Sequence, residues 1–323
     1  MTDVAIGIDV GGTKALALLV ASDGRVLGEV QAPTPHDGSG VAGAPTAFVL
    51  AGQVRELCSR HDLDCSSVPI GLGLPGLMRR DGRLAFAPNL RSASGADIGS
   101  QLGESLASSR VFSDNDANCA ALAEHEWGAA SGIDDFVMVT LGTGIGGGVF
   151  ADGHLLRGRS GFAGEIGHMV VQARGVACSC GGYGCWERYV SGGGLQRLAR
   201  QAALEGRLPT LVTRRGNAAL VSAEDVTAAA AENMEEAVLL IKEIGWWLAL
   251  GLANLAAILD CGHFVIGGGL STASDLVLPA ARDYVADLVE GHEARPAITI
   301  TPSMFGPRSG AMGAALVAFE RSA

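Results

Sequence analysis

Charge is scarce in this 323-residue chain: Asp, Glu, Lys and Arg make up 18% of it, and 23 basic residues against 34 acidic ones leave a net charge of −11. No basic stripe is available to neutralise a phosphate backbone, so nucleic-acid binding is not expected. Long apolar runs are missing too. The longest goes from Ile244 to Leu259, closed by Glu243 and Asp260 and interrupted by Asn254, which is short for a membrane span and suits a buried helix. The first ten residues hold Asp3 and Asp9 but no Lys or Arg, so no secretory leader is expected and a cytoplasmic location is. No Walker A loop, G-x-x-x-x-G-K-[ST], occurs. What remains is an acidic globular chain, 48% apolar, of about two domains.

Seven cysteines in a reducing compartment point to thiols or metal ligands rather than disulfides. Cys58, Cys65, Cys119 and Cys261 are scattered among apolar or helical neighbours and read as small buried hydrophobes. His168 with Cys178, Cys180 and Cys185 is different. Three thiols and one imidazole complete a tetrahedral Zn²⁺ set with no open position, which predicts a structural zinc loop over residues 168–187. Such a clamp would fix Glu165 and Glu187, carboxylates able to accept from sugar hydroxyls.

Glycine is plentiful, with 47 residues, and three clusters follow apolar strands. Val4 to Asp9 runs into Gly11-Gly12-Thr13-Lys14 and leaves as Ala15 to Val20, a hairpin. Phe136 to Leu141 runs into Gly142-Thr143-Gly144 and leaves as Val149-Phe150. Phe264-Val265-Ile266 ends on Gly267-Gly268-Gly269. The second cluster contains a formal G-x-G-x-x-G, but a strand follows it rather than a helix, which excludes the dinucleotide fold. Glycine amides without Cβ obstruction can turn toward phosphate oxygens, and Thr13 and Thr143 add hydroxyl donors. Asp9, at the end of a buried strand, needs a cation, which Lys14 or a water-held Mg²⁺ would supply.

Helical patterns cover 44–61, 117–129, 192–205 and 310–320, and a longer one covers 223–259 with a break near Asn233. Its start, Ser222 to Asp225, reads as a capping box. Alternating strands and helices predict an α/β fold. Ser113-Asp114-Asn115-Asp116-Ala117-Asn118 crowds two acids and two amides onto a strand-to-helix turn. One residue suffices as the cap, and the surplus suggests a polyol site with Asp116 as general base.

Together, Asp9-Val10-Gly11-Gly12-Thr13-Lys14, Leu141-Gly142-Thr143-Gly144, Glu165-Ile166-Gly167-His168 and Cys178 to Glu187 resemble the ROK sugar kinases, in particular their actinobacterial ATP-dependent glucokinases. The resemblance spans Asp9 to about Glu320. It implies an actin-like, hexokinase-type (ribonuclease H-like) fold of two α/β domains with a cleft between them. The expected domains are residues 1–118, with a C-terminal helix over 305–323 packing back on them, and residues 119–304. By the same resemblance Gly11, Gly12, Thr13, Thr143 and Gly144 contact ATP phosphates, and Gly267, Gly268 and Gly269 contact the adenosine. Asn89, Asn115, Glu165, His168 and Glu187 line the sugar, Asp116 is the base, and His168, Cys178, Cys180 and Cys185 hold zinc. The implied reaction is phosphorylation of a hexose, glucose first and an N-acylhexosamine second, at its 6-hydroxyl, by a homodimer or dimer of dimers. After Asn89-Leu90 the chain departs from the tryptophan-bearing run of many members and continues Arg91-Ser92-Ala93, so likeness does not fix the sugar. Sugar-responsive repressors of the family carry a DNA-binding segment ahead of the first glycine loop, and eight residues before Asp9 leave no room for one. Arg79, Arg80 and Arg83 read as a solvated turn, too small a track for polyphosphate.

Overall fold

The computed structural model describes residues 3–35, 41–88, 90, 93–269 and 274–322. In chain order the elements are β1 (Val4–Val10), β2 (Lys14–Ala21), β3 (Val26–Pro33), α1 (Ala44–Arg60), β4 (Ile70–Leu74), β5 (Leu77–Met78), β6 (Leu84–Phe86), α2 (Ile98–Leu106), β7 (Val111–Asn115) and α3 (Asp116–Trp127). They continue as β8 (Phe136–Leu141), β9 (Ile145–Ala151), β10 (His154–Leu155), α4 (Glu187–Val190), α5 (Gly192–Leu204), α6 (Pro209–Arg215), α7 (Ala223–Ala231), α8 (Glu235–Leu259), β11 (His263–Gly267), α9 (Ser274–Leu288), β12 (Thr299–Pro302) and α10 (Ser309–Ser322).

The chain divides into two compact units, one of Met1–Asp134, Gly147–Gly164 and Ser303–Ala323, the other of Asp135–Gly146 and Glu165–Pro302. The first division lies after Asp134, against the expected boundary near 118, because α3 packs on α10 and β4 and stays with the first unit.

In the first unit the sheet order is β3-β2-β1-β4-β7, antiparallel through β3, β2 and β1 and parallel from β1 to β7. The period-2 alternation of a strand decides what each face meets. Ile6, Ile8 and Val10 enter a core with Leu50, Val54 and Leu57 of α1 and Ile98 and Leu102 of α2. Ala5 packs on the other face with Ala311, Met312 and Ala315 of α10. Where α10 comes closest, that face is built of small residues, with Leu16, Leu18 and Val20 of β2 beside them. A Cβ on Gly7 or Gly71 would collide with the Ala311 or Ala314 carbonyl, and one on Gly313 with the Cys119 carbonyl, so α10 lies with its backbone almost on the sheet and on α3.

In the second unit β11 lies between β8 and β12, all parallel, with Val265 paired to Met138 and Thr301. The capping box at Ser222 and Asp225 opens α7, and Asn233 at φ 60° breaks the path into α8. By length and composition α8 could cross a membrane, but Leu240, Ile244, Leu248, Leu252 and Leu255 are buried and the helix packs on α7 and α9. Trp186, fully buried, donates its indole N–H to the Trp247 carbonyl at 2.8 Å. Its ring occupies the space that a side chain on Gly251 would need.

Candidate active site

The first glycine turn carries Asp9 at the end of β1 and Lys14 at the start of β2. Gly11 N–H donates to the Lys14 carbonyl at 2.9 Å, and Thr34 closes the turn from outside, its hydroxyl on the Gly11 carbonyl at 2.8 Å and its N–H on the Thr13 carbonyl at 3.0 Å. Thr13 and Lys14 are exposed, and Gly11 and Gly12 half-buried. Asp9 is half-buried on the α10 face. A Cβ on Gly310 would lie 2.7 Å from its carboxyl carbon, so glycine there lets α10 approach. Burial raises the Asp9 pKa from 3.8 to about 7, with the charge of Lys14 pulling the other way.

The β7–α3 turn holds the acids and amides singled out in the sequence. Asn115 is the N-cap, its Oδ1 accepting from Ala117 N at 2.9 Å and Asn118 N at 3.0 Å. Its Nδ2 donates to the Gly76 carbonyl at 3.1 Å. Oδ1 and one of the two Nδ2 hydrogens are thus engaged in holding the turn. Asp116 starts α3, half-buried, with Oδ1 accepting from Ala117 N at 2.8 Å. Behind it Asp114 is 5% exposed and takes Arg157 through Nε at 2.9 Å and Nη2 at 2.8 Å, while Asp114 Oδ1 accepts from Asn115 N and Asn118 Nδ2. Such a paired, hydrogen-bonded carboxylate is held in one place. Arg157 was not singled out in the sequence, where it is one of two arginines in Leu155 to Arg159 with no periodicity to mark it. Asn89 lies outside the described residues.

In the second unit the Gly142-Thr143-Gly144 turn is closed by Gly142 N–H on the Gly144 carbonyl at 3.0 Å. Gly192 N–H at the start of α5 donates to the Gly142 carbonyl at 2.9 Å, which brings the helix amino terminus, capped by Ser191, beside the turn. Thr143 is exposed. A Cβ on Gly144 would stand 2.6 Å from Glu187 Oε2, so the glycine makes room for that carboxylate. Gly267 ends β11, and Gly268, at φ 92°, lies against the Leu141 backbone where a Cβ would not fit.

His168, Cys178, Cys180 and Cys185 converge, their ligand atoms all within 4.8 Å of one another. Cys180 Sγ is 3.7 Å from Cys185 Sγ, and Cys178 Sγ is 3.8 Å from His168 Nδ1; ligands at about 2.3 Å from a tetrahedral zinc stand roughly 3.8 Å apart. The donor set and its spacing therefore fit zinc. The other ring nitrogen of His168 faces Glu165 Oε2 at 3.9 Å, near enough for their charges to interact and beyond hydrogen-bond length. Without a cation, burial raises the Cys178 thiol to about 12, and raises that of Cys185 also. Glu187 Oε1 accepts from Cys178 Sγ at 3.1 Å. Trp186 N–H on the Met169 carbonyl at 2.9 Å anchors the loop. Burial raises the pKa of Glu165, Glu187 adds to the rise and His168 opposes it. The other cysteines divide: Cys58, Cys119 and Cys261 are buried, whereas Cys65 is half-buried.

Strand-to-glycine turns on an α/β frame, with an acid at the amino terminus of a helix, define an actin-like sugar-kinase fold. The chain belongs to the ROK family, whose model matches residues 5–321. It is 34% identical over 322 residues to a glucokinase of Streptomyces coelicolor, covering 98% of each chain. It is 31% identical over 314 residues to an N-acetylmannosamine kinase of Citrobacter koseri, covering 97% of this chain and 98% of that one. Among solved structures, a ROK family glucokinase from Streptomyces griseus in complex with glucose and AMPPNP superposes with a TM-score of 0.86 at 32% identity, covering 98% of this chain and 99% of that one.

Proposed function

We propose that this chain transfers the γ-phosphoryl group of ATP to the 6-hydroxyl of glucose. The observation that carries the reading is the likeness, over nearly the whole of both chains, to a glucokinase holding glucose and an ATP analogue. The residues support it. Asp116 accepts the proton of the 6-hydroxyl as that oxygen bonds to the γ-phosphorus; the bond from phosphorus to the β–γ bridging oxygen breaks and ADP leaves with the electron pair. Gly11, Gly12, Thr13 and Lys14 on one turn, and Thr143 and Gly144 on another, offer amides, hydroxyls and a charge to phosphate oxygens. Gly267, Gly268 and Gly269 present bare backbone to the adenosine. Asn89, Asn115, Glu165, His168 and Glu187 bind the sugar hydroxyls. A Mg²⁺ ion at Asp9, held through water, would supply positive charge to the transferred group. A zinc ion at His168, Cys178, Cys180 and Cys185 would be structural, fixing the loop that presents Glu165 and Glu187.

The second reading is an N-acylhexosamine kinase, favoured by the N-acetylmannosamine kinase relative. A repressor role is disfavoured by the net charge of −11. We expect a cytoplasmic homo-oligomer. A panel of hexoses and N-acylhexosamines assayed for ADP release with Mg-ATP tests the reading. Glucose should give the highest kcat/KM, and Asp116→Asn should lower kcat by about 10²–10⁴-fold with glucose affinity retained. Higher kcat/KM for N-acetylmannosamine moves the substrate, and no turnover of any sugar refutes the kinase.

A further inference from the structure

Glu124 is fully buried, near the end of a helix whose first residue is Asp116. Its carboxylate accepts four hydrogen bonds. Oε2 takes Ala129 N at 2.9 Å and Met304 N at 3.0 Å, and Oε1 takes Phe305 N at 3.2 Å and Ser309 Oγ at 2.8 Å. A side chain on Gly128 would collide with it. A buried carboxylate is costly unless fully satisfied, and this one is satisfied by donors from three places in the chain, two of them leading into and starting α10.

The position of α10 matters for Asp9. α10 meets Gly7, Gly71 and, through its own Gly313, the Cys119 backbone at backbone distance, beside Leu16, Leu18 and Val20 of β2 in the same cluster; backbone contacts of this kind lack the interlocking ridges that fix how far one helix slides along another. Gly313 meets the Cys119 backbone and Ser309 meets Glu124, so α10 and α3 run antiparallel. Next in the chain, Gly310 abuts the Asp9 carboxyl. A slide of α10 would drive that turn into Asp9 or withdraw it. The directional bonds of Glu124 oppose such a slide.

We propose that Glu124 is a positioning residue, which sets the register of α10 on α3 and so holds Asp9 in place relative to Asp116. This rests on the reading of Asp9 and Asp116 as phosphoryl-transfer residues. The test is Glu124→Gln, which keeps the shape but turns an N–H₂ toward backbone N–H groups, with Ser309→Ala as a lighter second variant that removes one bond of the four. In the folded variant we expect kcat to fall by up to about 10²-fold, the loss that a misplacement near 1 Å can bring. Glucose affinity by calorimetry should stay within about two-fold, because none of the proposed sugar ligands lies on α10. The ¹³C carboxyl resonance of Asp9, read without substrate, should be displaced. A role in stability alone would lower the unfolding midpoint and leave kcat and that resonance unchanged, and this result overturns the proposal. Should wild type turn over no sugar, the kinase reading fails and the Asp9 resonance alone decides the register. Should Glu124→Gln not fold, Ser309→Ala is expected to show a smaller fall in kcat with the same displaced resonance, and wild-type values in it overturn the proposal.

Discussion

Replacing Asp9 by Asn should make the protein more stable at pH 8 while abolishing its activity. Unfolded, Asp9 ionises at its ordinary 3.8; folded, it keeps its proton to about 7 because burial opposes the charge. Between these values the folded chain binds more protons than the unfolded one, so the contribution of Asp9 to stability is whole below 3.8 and is lost as pH rises through about 7. At roughly 1.36 kcal/mol per pH unit the rise sets a ceiling of about 4 kcal/mol, and partial exposure of the side chain brings the expected gain to about 1–3 kcal/mol. Asn cannot ionise and escapes this loss. Urea unfolding of both proteins in magnesium-free buffer at several pH values measures it. The gap between the curves should open in favour of Asp9→Asn from about pH 4 and level off above about pH 7.5. One physical effect works against this outcome: the amino terminus of α10, which starts beside Asp9, favours the anion. If that attraction outweighed burial, the gap would stay constant from pH 5 to 8.5, and the account of Asp9 as a costly, unrelieved carboxylate would be wrong.

The zinc loop gives a second expectation: purified protein should carry one zinc per chain, and Cys185→Ser should carry none and lose activity, because Glu165 and Glu187 are no longer held. Elemental analysis decides, and a variant that keeps its zinc removes Cys185 from the ligand set. Zinc binding should also release protons, since buried Cys178 and Cys185 thiols hold theirs above the usual range; calorimetry in buffers of different ionisation enthalpy counts them. Finally, Gly251→Ala places a methyl into the ring of Trp186 and should cost about 1–3 kcal/mol in urea unfolding, with an unchanged midpoint refuting the tight fit.

Much of this molecule could be read before it was seen because its chemistry lies in local patterns. A glycine turn between two strands needs only neighbouring residues, so the hairpins at Gly11-Gly12 and Gly142 to Gly144 are written in consecutive letters. The capping box at Ser222 and the break at Asn233 are equally local. The proposed zinc site is legible for another reason: a metal gives three thiols and an imidazole a common purpose, and the structure brings His168, Cys178, Cys180 and Cys185 within reach of one another. The limit of the first unit was less legible. The repeat of strand and glycine suggested a boundary near 118, but α3 is held by α10, some 190 residues further on, and no local signal announces that pairing.

The residues that sequence did not mark share one trait: they act on the backbone of distant segments. Arg157 grips Asp114 behind the turn that bears Asp116, and Glu124 grips Met304, Phe305 and Ser309. A faint signal existed for Glu124, an acid at the end of Cys119-Ala120-Ala121-Leu122-Ala123, a run too apolar for a solvated face. Its partners could not be named from sequence, because backbone N–H groups look alike in any residue. The distinction has a physical basis. Groups that meet phosphate or a metal must be chemically special and so stand out by type, whereas groups that hold those residues in place need only a carboxylate or guanidinium in the right spot. The structure therefore adds most where the sequence is least specific, in the supports beneath Asp9 and Asp116, and substitutions there should change rate before they change which sugar is bound.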